Sequence, residues 1–237
     1  MPGFFIDAWA GETAIIREDA KHIVKTMRKS VGDAITAFDG KGNVLSCTIK
    51  KADAAEVQLS VEESHKSDAE PNIAVTLYQG LVRREKMELI VQKAVELGAS
   101  RIVPVLFSRC EVRELKPERL LRLNKIAREA AKQCGRAVIP QVLPAVPFKD
   151  ALGEEEVIFT PYEAHRGYGL FTALEEHGKK GSYGIVIGPE GGMAPEEAEE
   201  IESRGGILVS LGKRILRTET AGMAVLAALL CHYREME

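Results

Sequence analysis

Two stretches near the carboxyl end decide the fold: Ile185-Val186-Ile187-Gly188-Pro189-Glu190-Gly191-Gly192 and Leu208-Val209-Ser210-Leu211-Gly212-Lys213-Arg214-Ile215-Leu216-Arg217-Thr218-Glu219-Thr220-Ala221. Each opens with a short apolar run of the kind a buried strand shows, then breaks at glycine. Between them Pro195 begins an acidic helix, with Glu196 and Glu197 at the positive end of its dipole and Gly205 and Gly206 at its close. Strand, glycine loop and helix, twice over, predict an α/β fold with a parallel sheet. In such sheets ligands bind at the carboxyl ends of the strands.

Glycine after a strand is common, so either loop by itself reads equally well as a tight turn. Two in tandem, the second followed by Lys213, Arg214 and Arg217, point to a site. Two familiar nucleotide loops fail on spacing. The first stretch is not G-x-G-x-x-G, and five residues, not four, lie between Gly206 and Gly212-Lys213, with no Ser or Thr after the lysine.

Working back along the chain, residues 1 to about 70 read as a small β-rich domain. Its strand-like runs are Phe4-Phe5-Ile6, Ala14-Ile15-Ile16, Ala34 to Phe38, Val44 to Ile49 and Val57 to Val61. Asp39-Gly40-Lys41-Gly42-Asn43 is a hairpin signal. A helix is expected over 19–28, exposing Lys21, Lys25, Arg28 and Lys29 either to RNA backbone or simply to water. The polar run over 62–72 reads as a linker. From residue 71 a strand over 73–79, a helix over 86–97 ended by Gly98 and a strand over 101–106 set a βαβ rhythm. Pro117 starts a helix to Cys134, with Leu120, Leu123, Ile126, Ala127, Ala130 and Ala131 on one face at about 100° per residue. Arg122, Lys125, Arg128 and Lys132 cluster on another face, as a wet surface or a rail for phosphates. Val157 to Thr160 is a further strand, followed by Pro161-Tyr162-Glu163, and a helix rich in alanine and leucine closes the chain. The small residues of that helix suit packing within the fold or against a second subunit.

Composition narrows the function. The four cysteines form no C-x-x-C pair and the five histidines no metal-ligand spacing, so neither a disulfide framework nor a metal site is expected, and a reducing cytoplasm fits. Met1 to Asp7 has no basic region and no long apolar core, so it is not read as a signal peptide. The most apolar stretch, Ala221 to Cys231, falls short of the about 20 residues a bilayer requires, so no membrane role follows. The net charge is −3, yet Arg83 to Arg136 carries fourteen Lys or Arg against seven acids, and Asp150 to Glu202 three against thirteen. A basic middle is where phosphate contacts are expected, unless the clustering is only that of solvated faces.

The loops IGPEGG and LGKRILRTETA resemble those of the SPOUT class of methyltransferases, and the chain most resembles the ribosomal RNA small subunit methyltransferase E family. The likeness extends to His22-Ile23-Val24-Lys25-Thr26-Met27-Arg28 with Val31-Gly32-Asp33, to Gln92-Lys93-Ala94-Val95-Glu96-Leu97-Gly98, to Ser108-Arg109, and to Glu129-Ala130-Ala131-Lys132-Gln133-Cys134-Gly135-Arg136. It implies a PUA-like barrel over 1–70 and, over 71–237, a SPOUT domain with a trefoil knot. The activity it implies is methylation of a uridine N3 in 16S rRNA of the small ribosomal subunit by a homodimer using S-adenosylmethionine.

By the same resemblance the donor lies against Thr160, Ile187, Gly188, Gly192, Leu211, Gly212, Ile215 and Leu216. Lys25, Arg28, Arg83, Arg109 and Arg136 are the expected RNA contacts. Arg217 is expected to orient the uridine, the alternative being a structural ion pair with Glu219. Glu190 is expected as proton acceptor, the alternative being a loop-fixing or helix-capping carboxylate. Two departures stand out. Gly3 occupies a position where arginine is common in the family. Ala194 replaces a Ser or Thr cap, a loss of ~1 kcal/mol at the helix start. Three other readings stay open: a SPOUT enzyme for another RNA position, a non-catalytic RNA-binding assembly factor, and a small-molecule enzyme using a nucleotide.

Overall fold

The computed structural model describes residues 3–237. Met1 and Pro2, the start of the segment read as no signal peptide, lie outside the described residues. The chain forms two compact units, one from the chain up to Glu70 together with Arg128–Ile139, the other from Pro71–Ala127 with Pro140–Glu237. Residues 128–139, which the sequence reading leaves in the second domain, thus group with the first.

The first unit is built on β1 (Phe4–Phe5), β2 (Ala8–Ala10), β3 (Thr13–Ile16), β4 (Ala34–Phe38), β5 (Asn43–Ala52) and β6 (Val57–Lys66). They pair in the order β1-β4-β5-β6-β3-β2, with only β1 and β4 parallel. The two edge strands are separated in sequence by Ile6 and Asp7 alone, so the sheet has to roll until its edges nearly meet. Ile6 N–H donates to Phe38 and Asp7 N–H to Ile15, which holds that seam. Alternate residues of β4, β5 and β6, among them Ile35 and Ala37, Leu45, Cys47 and Ile49, and Val57 and Leu59, fill the interior. The hairpin between β4 and β5 is held by the Asp39 carboxylate, which accepts from Lys41 N (2.7 Å) and Asn43 N (2.9 Å).

Two expectations change here. The helix over 19–28 is a single wide turn, His22–Thr26, closed by Met27 N–H on the His22 carbonyl. Arg28, at φ +55°, turns the chain away and stops it. The linker starts later than expected, because β6 continues to Lys66 by pairing with Asn43 and Val44 through main-chain bonds while its charged side chains stay in water. Position 3 admits no side chain as the unit stands: a Cβ on Gly3 would lie 2.2 Å from the Phe38 ring.

The second unit is a parallel sheet. In chain order it contains β7 (Ala74–Gly80), α1 (Arg84–Glu96), β8 (Arg101–Leu106), α2 (Pro117–Cys134, which ends in the first unit), β9 (Gln141–Val142), β10 (Val146–Pro147), β11 (Val157–Pro161), α3 (Leu170–His177), β12 (Ser182–Ile187), α4 (Pro195–Ser203), β13 (Ile207–Val209) and α5 (Thr218–His232). The strand order is β10-β8-β7-β12-β11-β13, with β9 also on β8. Both faces are covered, as an all-parallel sheet requires. On one face Tyr78, Val186, Ile158 and Leu208 pack with Ala198 and Ile201 of α4. On the other α5 lies over β7 and β12 and packs on α1 and α3.

The capping loss at Ala194 is partly offset. Glu197 reaches back to accept from Ala194 N (2.8 Å), and its other oxygen accepts from Ser108 N (2.7 Å). No helix among the described residues is long and apolar enough to cross a membrane, and no group of three or more His, Cys, Asp or Glu there is placed to hold a metal.

Candidate active site

Strands β12, β11 and β13 are neighbours and parallel, so their carboxyl ends open on one side of the sheet together. Three loops leave there: 162–169 after β11, 188–194 after β12 and 210–217 after β13. Main-chain bonds lace the first and third, from Tyr162 N to Val209 O (3.1 Å), from Ser210 N to Tyr168 O (2.8 Å) and from Leu170 N to Ser210 O (3.1 Å). The loops enclose a cavity of about 970 Å³, lined by 161–163, 187–193 and 210–218 together with Lys86, Arg166, Gly167 and Ala221.

Gly192 holds a left-handed backbone position in this wall. Its φ is +71°, and a Cβ there would lie 2.6 Å from a Glu163 carboxylate oxygen. In the loop after β13 the main-chain groups of Leu211, Ile215 and Leu216 make no hydrogen bond to the main chain of the described residues. Polar groups of this kind beside a cavity need a partner, from water or from a ligand.

Of the residues expected around the donor, Ile187, Gly188, Gly192, Leu211, Gly212, Ile215 and Leu216 all line this cavity. Thr160 does not line it: it is fully buried at the end of β11, and its hydroxyl has no protein partner. Ile215 lines the cavity while 84% exposed. Arg217 lies at the cavity with a side chain 82% exposed and only a loose approach, 4.0 Å, to Glu219. Glu190 also lines it but faces the start of α1, with Oε1 3.5 Å from Arg83 N and 3.6 Å from Lys86 Nζ. That placement matches the loop-fixing, helix-capping alternative for Glu190; its Oε2 is buried without a partner.

The expected RNA contacts divide. Lys25 and Arg28 are exposed in the first unit. In the second unit Arg83 is exposed and paired with Glu111 (2.7 Å), and Arg109 donates to the Met193 carbonyl at the foot of the loop after β12 (3.1 Å). Arg136 stands apart as a correction. It is buried, and its guanidinium grips Glu70 through Nε (3.0 Å) and Nη2 (2.7 Å), so it is engaged inside the first unit rather than presented to a phosphate. The basic stripe of α2 is largely engaged too. Arg122 meets Glu88, Arg128 meets Glu18 and lies over the Phe5 ring, and Lys132 meets Asp19 at 2.7 Å.

Sequence reasoning passes over three residues here. Lys86 lines the cavity between two carboxylates, 3.6 Å from both Glu190 and Glu219. Gln79 and Thr218 lie beneath the loops, joined by a 2.9 Å hydrogen bond. The available signal was an amide at the end of a buried strand, directly before Gly80.

The parallel α/β unit with its cavity at the strand ends, and the rolled β unit beside it in the sequence, are each matched by a family model of RNA methyltransferases. A family model described as RNA methyltransferase domain covers residues 69–230, and a second, RNA methyltransferase PUA domain, covers 15–62. The chain belongs to the ribosomal RNA small subunit methyltransferase E family. The Bacillus subtilis (strain 168) protein of that name is 33% identical over 226 residues, covering 91% of this chain and 88% of the relative. A crystal structure of the Neisseria gonorrhoeae enzyme bound to S-adenosyl methionine superimposes with a TM-score of 0.87 at 29% identity, over 98% of both chains. A probable rRNA-methyltransferase from Porphyromonas gingivalis gives 0.83 at 29% identity, over 99% of this chain and 100% of that one.

Proposed function

We infer that the protein is an S-adenosylmethionine-dependent methyltransferase that methylates N3 of a uridine in 16S rRNA of the small ribosomal subunit. The observation that carries this reading is the cavity at the ends of β12, β11 and β13, bordered by main-chain groups the fold leaves unspent. Such groups fit an adenine edge, and Ile187, Leu211 and Leu216 supply apolar walls. The Glu163 carboxylate beside Gly192 suits a cationic ligand. Bound there, the donor supplies an activated methyl on sulfonium sulfur, and the chain's task is to hold the acceptor in line and dry.

A uridine N3 becomes a nucleophile only as its proton leaves. In this reading Arg217, exposed at the cavity along with Arg166, Lys213 and Arg214, stabilises charge building on the flanking carbonyl oxygens. Glu190, with its unpartnered oxygen, is the candidate proton acceptor within the cavity wall. Lys25 and Arg28 of the first unit, with Arg83 and Arg109, are the cations assigned to RNA backbone. The enzyme works as a cytoplasmic homodimer in this reading. The exposed Ile215 and Phe171 support a second subunit near the site. The trefoil threading goes with the same reading, supported by the bonds that bracket Ser210 between Tyr168 and Leu170.

The test is mass-spectrometric mapping of 16S rRNA from a strain lacking the gene, with and without the gene restored. One methyl-uridine lost and then regained is the expected result. An unchanged methylation map contradicts the assignment.

A further inference from the structure

Along β7 the side chains of Val75, Leu77 and Tyr78 are buried and largely apolar, and then the pattern breaks at Gln79. This amide is 0% exposed, where an unpaired polar group is costly. Its Nε2 donates to Thr218 Oγ1 (2.9 Å) and to the Gly80 carbonyl (3.1 Å). Thr218 in turn donates its single hydroxyl proton to the Gly188 carbonyl (2.6 Å). Gly188 is the first residue after β12, and Thr218 is the first residue of α5, where the loop after β13 ends. The Thr218 hydroxyl therefore ties the start of one cavity-lining loop to the end of another, and one amide on the sheet holds that hydroxyl in place. Gly80 completes the arrangement, since a Cβ there would lie 2.5 Å from Pro189 N and would push the first loop away.

Stability alone does not explain the amide. Gln79 Oε1 is buried with no partner, a cost that offsets part of what the two Nε2 bonds contribute. We propose that Gln79, acting through the Thr218 hydroxyl, is a positioning residue for the methyl donor that fixes the spacing of the two loops across the cavity. The proposal rests on the reading of that cavity as the donor site. It separates donor binding from RNA binding: the clamp touches the donor loops and none of the cations assigned to RNA.

The experiment is calorimetric titration of S-adenosylmethionine into the full-length protein and into Gln79→Met, Thr218→Val and Thr218→Ser. Affinity for a small-subunit RNA fragment and the urea midpoint are measured alongside. Gln79→Met and Thr218→Val are expected to weaken donor binding about tenfold, the worth of one well-placed hydrogen bond, with RNA affinity little changed and the urea midpoint lowered, since each leaves a buried hydrogen-bonding group unpaired. Thr218→Ser keeps the hydroxyl and is expected to stay within about threefold of the parent. The double variant Gln79→Met/Thr218→Val should be no weaker than Thr218→Val alone, because loss of the Thr218 hydroxyl already removes the Gln79 bond together with the Gly188 bond.

Parent-like donor binding by Gln79→Met overturns the proposal. So does a Thr218→Ser loss as large as that of Thr218→Val, or a loss of donor affinity matched by an equal loss for RNA. Should Gln79→Met fail to fold, the Thr218 pair decides alone. A parent protein that itself ignores the donor removes the donor-site reading and the clamp together, which is distinct from a parent that binds beside variants that bind equally well.

Discussion

A methyl group added at Gly192 meets a φ of +71°, and it displaces the end of the Glu163 side chain, whose oxygen would lie 2.6 Å away. Gly192→Ala is expected to cost about 1–2 kcal/mol from the backbone alone and to weaken donor binding, as read by urea denaturation and by calorimetry. Arg28 presents the opposite case, a bulky residue held at φ +55° where glycine would rest more easily. Arg28→Gly should leave stability unchanged or raise it by up to about 1 kcal/mol while RNA affinity falls. A clear loss of stability would show that Arg28 is held there by packing rather than kept for its charge. For Glu190 the decisive comparison is kinetic: if Glu190→Gln leaves turnover the same at low and high pH, Glu190 is not the base and its place at the start of α1 is its whole role. Little of this was visible beforehand. IGPEGG and LGKRILRTETA announce their glycines, but nothing in the sequence says which carboxylate Gly192 faces or that Arg136 turns inward to Glu70.

Element boundaries were legible where local chemistry sets them. Helix α2 begins at Pro117 and ends before Gly135, and β8 runs over Arg101–Leu106, both as their punctuation indicates. The misses have physical causes. A charged strand such as the end of β6 is held by pairing rather than burial, α3 is only eight residues long, and the helix over 19–28 is cut short where Arg28 turns. The basic stripe on α2 misled because its partners are remote: Lys132 meets Asp19 113 residues away.

Two predictions belong to these elements. Arg122, with Arg84, holds the Glu88 carboxyl down to about 2 from its ordinary 4.5, joining α2 to α1. Because the folded value is the lower one, this pair stabilises the protein above pH 4.5 and the benefit drains away as pH falls towards 2. Urea midpoints across that window should therefore fall less steeply in Glu88→Gln than in the parent. In α5 a methyl on Gly222 would meet Ile187 and Leu77 at 3.5 and 3.6 Å, ordinary contacts. Gly222→Ala should raise stability by up to about 1 kcal/mol, the helix-propensity difference, and a loss instead would mean the helix sits closer to the sheet than these distances allow.

For the molecule as a whole, the charge count of the sequence overstates the basic surface of its middle third. Many of those cations are committed to ion pairs within one unit or the other, including Arg122, Arg128, Lys132 and Arg136. What the sequence did convey at this scale was the order of loops, and through it the one end of the sheet where chemistry is possible. The central claim is that the cavity beside Gly188 and Leu216 holds a sulfonium methyl donor. Isothermal titration of S-adenosylmethionine into the purified protein tests it most directly: saturable binding that is abolished or strongly weakened by Gly192→Ala is the expected result, and absence of heat with the folded parent protein, or undiminished binding in that variant, contradicts it.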